Sequence, residues 1–170
     1  MKEENGQVTL YPSGPFALIK TPWYGSLNLH FLILGGGALL FLITMVGWLV
    51  SFISDMINHE PRPLLSLFAR LIGAGFALAY LTFFIAFLVL MSDINPAYGV
   101  PDIYFATGAE FKTLLALPLL IGIFGLSMLP VAVIAWINRW WTLSARLSYT
   151  FLTLVAFAIL WSLTYWNLLL

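Results

Sequence analysis

The chain has 170 residues, of which 62% are hydrophobic and only 8% charged, against roughly 45–50% and 25% in soluble domains. That composition excludes a soluble all-α bundle, and a length of 170 residues leaves room for one domain. Seven basic residues balance seven acidic ones, which argues against a nucleic-acid partner or a polybasic lipid-binding role; the absence of cysteine excludes a disulfide framework, a thiolate nucleophile and a Cys metal site.

The N-terminus does not read as a signal peptide: Met1-Lys2-Glu3-Glu4-Asn5-Gly6 is polar, and no apolar stretch follows before Leu27. Residues 7–25 read as β-structure. Val8-Thr9-Leu10-Tyr11 and Phe16-Ala17-Leu18-Ile19 flank a Pro12-Ser13-Gly14-Pro15 turn. A lone hairpin is marginal in water, so these strands are expected to belong to the tail of a larger outer domain (residues 1–25).

Residues 26–170 hold four apolar runs, Leu27–Ile53, Leu71–Ser92, Thr113–Asn138 and Leu147–Leu170, and every charged residue lies outside them. A helix needs about 20 apolar residues to cross a hydrocarbon layer of about 30 Å, and a central charge costs roughly 2.5–3.5 kcal/mol. The expected fold class is therefore an all-α membrane protein. It has four transmembrane helices (about 27–53, 71–92, 113–138 and 147–168) in an up-down bundle, with a short N-terminal β-like segment.

Pro61-Arg62-Pro63 breaks the first connection, Ser54–Arg70. The second, Asp93–Lys112, contains Asn95-Pro96, Gly99, Pro101 and Gly108; the third, Arg139–Arg146, is short enough for a helical hairpin. Arg62, Arg70, Arg139 and Arg146 flank one set of span ends, and Lys20 and Lys112 the other. The positive-inside rule then puts both termini outside. Aromatic belts are expected at Trp23-Tyr24, Tyr104 and Tyr165-Trp166 on one side, and at Trp48, Trp136, Trp140 and Trp141 on the other.

Span two carries small-residue ladders, Ala69/Gly73/Ala77 and Gly75/Ala79, which allow close helix approach. Gly35-Gly36-Gly37 should soften span one. Pro118 and Pro130 in span three each remove a backbone hydrogen bond; a static kink satisfied by neighbours is the ordinary reading, and a gating helix the functional one.

Ionisable residues inside a membrane mark transport or proton relay. Here only His30 qualifies, near the end of span one, where a snorkelling role is the simpler account. His59-Glu60 has no second His at helical spacing. Asp93-Ile94-Asn95 before Gly99 lacks the spacing and closing Glu of a calcium loop, and loop capping explains it better. Ser-x-x-Lys and Gly-x-Ser-x-Gly are missing, Ser92-Asp93-Ile94 lacks the Asn of Ser-Asp-Asn, and Lys20-Thr21-Pro22 lacks the Gly of Lys-Thr-Gly. Gly35-Gly36-Gly37 has no following Lys for a phosphate loop. No catalytic, cofactor-binding or metal residue is assigned, and the chain is not expected to be a self-sufficient enzyme.

The closing segment runs from Trp140-Trp141-Thr142-Leu143-Ser144-Ala145-Arg146-Leu147-Ser148-Tyr149-Thr150 to Trp161-Ser162-Leu163-Thr164-Tyr165-Trp166-Asn167-Leu168-Leu169. It resembles the C-terminal membrane region of bacterial serine hydrolases of the β-lactamase/penicillin-binding-protein-like family. Phe16–Tyr24 and Tyr98-Gly99-Val100-Pro101 resemble that family's lead into the first span and its outer loop. Ser148 departs from the His expected there. The resemblance implies an anchor in a bacterial inner membrane whose partners are the bilayer and a serine-hydrolase domain on the outer face. That family's Ser-x-x-Lys region has no counterpart here, so no catalytic residue carries over. The competing class is a small transporter or accessory subunit, with His30, Thr44, Ser127 and Asn138 as its polar candidates.

The topology predicts that Ser13→Cys reacts with a membrane-impermeant maleimide added outside intact cells. Labelling only after permeabilisation would reverse the orientation.

Overall fold

In the computed structural model the described residues are 2–4, 7–10, 18–19, 22–58, 64–99, 101 and 109–169. The Pro12–Pro15 turn, His59-Glu60, Pro61-Arg62-Pro63, Lys20-Thr21 and Tyr104 lie outside them. The chain divides into two compact units, Met1–Leu32 and Ile33–Leu170.

The first unit contains a three-stranded antiparallel sheet of β1 (Lys2–Glu4), β2 (Gln7–Leu10) and β3 (Leu18–Ile19), in the order β1-β2-β3. Lys2 faces Thr9 across the first pair and Leu10 faces Leu18 across the second. The expected hairpin is present as β2–β3. β1 was not anticipated, because its Lys-Glu-Glu sequence has neither alternation nor β-propensity and is recruited only by pairing with β2. A 3-10 turn, Trp23–Gly25, precedes the first long helix.

That helix, α1, spans Leu27–Asn58; it is followed by α2 (Leu64–Ser92), α3 (Ala109–Ile137) and α4 (Leu143–Tyr165). All four are long and apolar enough to cross a membrane. The chain is an all-α, multi-pass membrane protein of four helices.

Several helices outrun the apolar runs, whereas α4 stops at Tyr165, inside the run to Leu170. Ser54–Asn58 continues α1 and Leu64–Arg70 already belongs to α2, so the first connection is much shorter than the Ser54–Arg70 expected. A charge ends a hydrocarbon-compatible run, whereas a helix ends only where its backbone hydrogen bonds fail, and α1 contains no proline through Asn58. For the same reason α4 begins at Leu143, with the Thr142 hydroxyl accepting from the Ala145 N–H at 3.4 Å as an N-cap. α3 continues through Pro118 and Pro130 as one helix, with Pro118 buried and Pro130 exposed.

Within Ile33–Leu170 the packing follows the small residues. Ala69, Gly73, Phe76, Ala77, Tyr80 and Phe83 form the buried stripe of α2, at the three- and four-residue spacing of one helix face. A methyl group built on Gly73 would come within 2.5 Å of the Trp48 indole on α1, and one on Gly75 within 2.6 Å of the Phe124 ring on α3. One on Gly125 of α3 would meet Leu160 of α4 at 2.8 Å, and one on Gly37 of α1 would meet Ile159 of α4 at 2.7 Å. Glycine thus lies at α1–α2, α2–α3, α3–α4 and α1–α4 contacts. Phe41 stacks against Phe76 with ring centroids 4.7 Å apart, and the Tyr80 hydroxyl donates to the Leu34 carbonyl oxygen.

Gly36 and Gly47 have open space where a Cβ would stand, so they serve no packing contact. Gly73→Ala and Gly75→Ala should each cost about 1–3 kcal/mol through overpacking. Gly36→Ala and Gly47→Ala should be neutral or gain about 0.5–1 kcal/mol of helix stability. Reversible unfolding in mixed micelles checks the contrast.

Candidate functional site

The polar residues considered for a transport path stand on α1, on α3 and in the turn after α3. His30 is in the first turns of α1, within the Met1–Leu32 unit, and is 2% exposed. The Thr44 hydroxyl donates to the Leu40 carbonyl at 2.8 Å and Ser127 to the Ile123 carbonyl at 2.7 Å. Both are spent inside their own helices, as is usual for hydroxyls in apolar surroundings. Asn138 is exposed in the turn after α3. Among the described residues no cluster of His, Cys, Asp and Glu could hold a metal ion.

Asn95 caps its own loop. Its side-chain oxygen accepts from the Ala97 N–H at 2.9 Å and its carbonyl from the Gly99 N–H at 2.8 Å. Gly99 has φ +67°, a conformation that favours glycine. The turn reading of Asp93–Gly99 accounts for these residues without an ion.

The landmarks of the closing segment perform identifiable structural work. Asn167 follows the last turn of α4 with φ 53°. The Leu168 N–H donates to the Leu163 carbonyl at 2.9 Å and the Asn167 N–H to that of Thr164 at 3.0 Å. These two bonds form a Schellman C-cap, in which Asn is second only to Gly at the left-handed position. At the other end of the hairpin, the Arg146 guanidinium lies 4.9 Å from the centre of the Trp136 ring, while the Trp136 Nε1–H donates to the Thr150 hydroxyl at 2.9 Å. Trp141 packs edge-on against Tyr149 with centroids 5.4 Å apart, and the Tyr149 hydroxyl reaches the Ala69 carbonyl of α2 at 3.4 Å.

These contacts frame a cavity of about 430 Å³ at the arginine-bearing end of the helices. Its lining includes Trp48 of α1, Ser66 and Arg70 of α2, Trp140 and Trp141 of the α3–α4 connection, and Ser148 of α4. Trp48 was expected in the aromatic belt of the arginine-bearing side. It turns inward instead, because Gly73 leaves room for its ring. Arg70 Nη1 is buried without a hydrogen-bond partner among the described residues, an expensive state for a guanidinium nitrogen. Among the described residues no carboxylate contributes to the lining. Sequence reasoning missed this site, since its residues come from three helices and a connection; the one available signal was an Arg directly before a long apolar run.

Replacing Trp136 by Leu and Arg146 by Gln, singly and together, should reveal a coupling of about 0.5–1 kcal/mol between them. Additive single effects in a micellar unfolding titration would deny the pairing any energetic role.

Comparison with known proteins finds no matching protein-family model, no matching curated protein and no matching solved structure.

Proposed function

We propose that this chain is an integral membrane anchor that holds a serine-hydrolase domain at the outer face of a bacterial inner membrane, with both termini outside. Its work is positional: four apolar helices set depth, glycine contacts hold them together, and the N-terminal strands dock onto the hydrolase. It assigns no catalytic step to the chain.

The observation that carries this reading is the Trp140–Leu169 segment, whose aromatic and Arg landmarks resemble those of the hydrolase family's membrane region. The structure supports it indirectly. Arg146, Trp136 and Asn167 are engaged in holding and ending helices, which suits an anchor. The transporter reading needs a polar route between helices, and the Thr44 and Ser127 hydroxyls that would contribute to one are bonded to carbonyls of their own helices.

Affinity purification of the tagged chain in mild detergent, after treating cells with a fluorophosphonate or β-lactam probe, should recover a labelled hydrolase in stoichiometric amount. Recovery of transporter subunits without any labelled protein would overturn the proposal.

A further inference from the structure

We propose that the cavity beside Arg70 binds the phosphodiester headgroup of an anionic membrane lipid. The proposal requires only that the helices cross a bilayer and is independent of any hydrolase partner.

Three observations converge. The first is chemical. The lining is rich in residues that carry donors: Arg70, Ser66, Ser148, Trp48, Trp140 and Trp141. Among the described residues it holds no carboxylate to neutralise the arginine. Arg70 Nη1 is buried without a hydrogen-bond partner among the described residues. A phosphodiester supplies a negative charge and acceptor oxygens, and a guanidinium fork matches its geometry.

The second is position. Arg70 is six residues into α2, which begins at Leu64, or about 9 Å along the helix. The uninterrupted apolar run starts at the next residue, Leu71. Arg70 therefore stands at the border between hydrocarbon and headgroups, where basic pockets between membrane helices take lipid phosphates.

The third separates a lipid from a free anion. Leu49 and Phe52 on α1 and Leu147 and Phe151 on α4, neighbours in sequence of the lining residues Trp48 and Ser148, are exposed apolar side chains. Acyl chains of a bound lipid can lie along such surfaces, and the indoles suit a boundary with one wet and one apolar side. The chain's zero net charge disfavours binding through a polybasic surface, but a single enclosed guanidinium needs no such field.

The test is native mass spectrometry of the full chain, released from detergent after incubation with phosphatidylglycerol or phosphatidylcholine of the same acyl chains. Wild-type protein should retain one phosphatidylglycerol in preference to phosphatidylcholine. Arg70→Gln should weaken that retention by roughly tenfold or more, as loss of a charge-assisted contact does. Ser148→Trp, which keeps the guanidinium but fills the cavity, should weaken it as well, and covers the case in which Arg70→Gln fails to fold. Arg139→Gln, outside the lining, should retain lipid like wild type. Equal retention of the two lipids would overturn the proposal, as would phosphatidylglycerol retention unchanged in both Arg70→Gln and Ser148→Trp. Displacement of phosphatidylglycerol by millimolar inorganic phosphate would assign the site to a free anion and overturn the lipid source.

Discussion

Hydrocarbon offers no water to a peptide group, so each N–H and C=O at membrane depth must find its partner within the protein, and a long helix does this locally. The other features of this chain follow from that constraint. α1 runs beyond its apolar segment at its C-terminal end and α2 and α4 at their N-terminal ends, and capped turns bound α4 at Thr142 and Asn167. Hydroxyls are absorbed in the same way: Thr44, Ser127, Thr150, Thr153 and Thr164 all donate to a carbonyl one turn back. Those hydroxyls are thereby satisfied within their own helices.

Lipid tails are as apolar as leucine, so the hydrophobic effect does not drive such helices together, and close contact must do so. Gly37, Gly73, Gly75 and Gly125 allow that approach, each receiving a large side chain from a neighbouring helix. Around them Phe41, Phe76 and Tyr80 fill the interior, and Tyr80 ties α2 to the α1 backbone at Leu34. Large apolar residues such as Leu39, Ile43, Leu78 and Val89 remain exposed, as a helix surface in lipid requires. The arginine end obeys different rules, because headgroups there tolerate charge. Arg146 is held over Trp136, while Arg70 lines a cavity to which no described residue of opposite sign contributes.

Much of the fold was legible from hydropathy and from the positions of charge. The number of spans, the antiparallel hairpin of α3 and α4, and the small-residue face of α2 could all be read from residue spacing. The extent of the helices could not, since hydropathy reports compatibility with hydrocarbon rather than backbone continuity. Ser54–Asn58 and Leu64–Arg70 were therefore assigned to a connection although they are helical. The inward turn of Trp48 was hidden as well, because a tryptophan near a span end reads as a belt residue until the glycine opposite it is known.

The exclusion of all charge from four runs of adequate length was by itself enough to determine a four-span, all-α membrane protein, because the energetic penalty for charge in hydrocarbon depends on sequence position alone. Which residues share a site was decided only by tertiary structure. Trp48, Arg70, Trp141 and Ser148 are separated by up to a hundred positions, and they meet because helix packing through Gly73 and the Tyr149–Ala69 contact brings three helix ends around one cavity. A local pattern sets which medium each segment tolerates; only packing sets which side chains face one another.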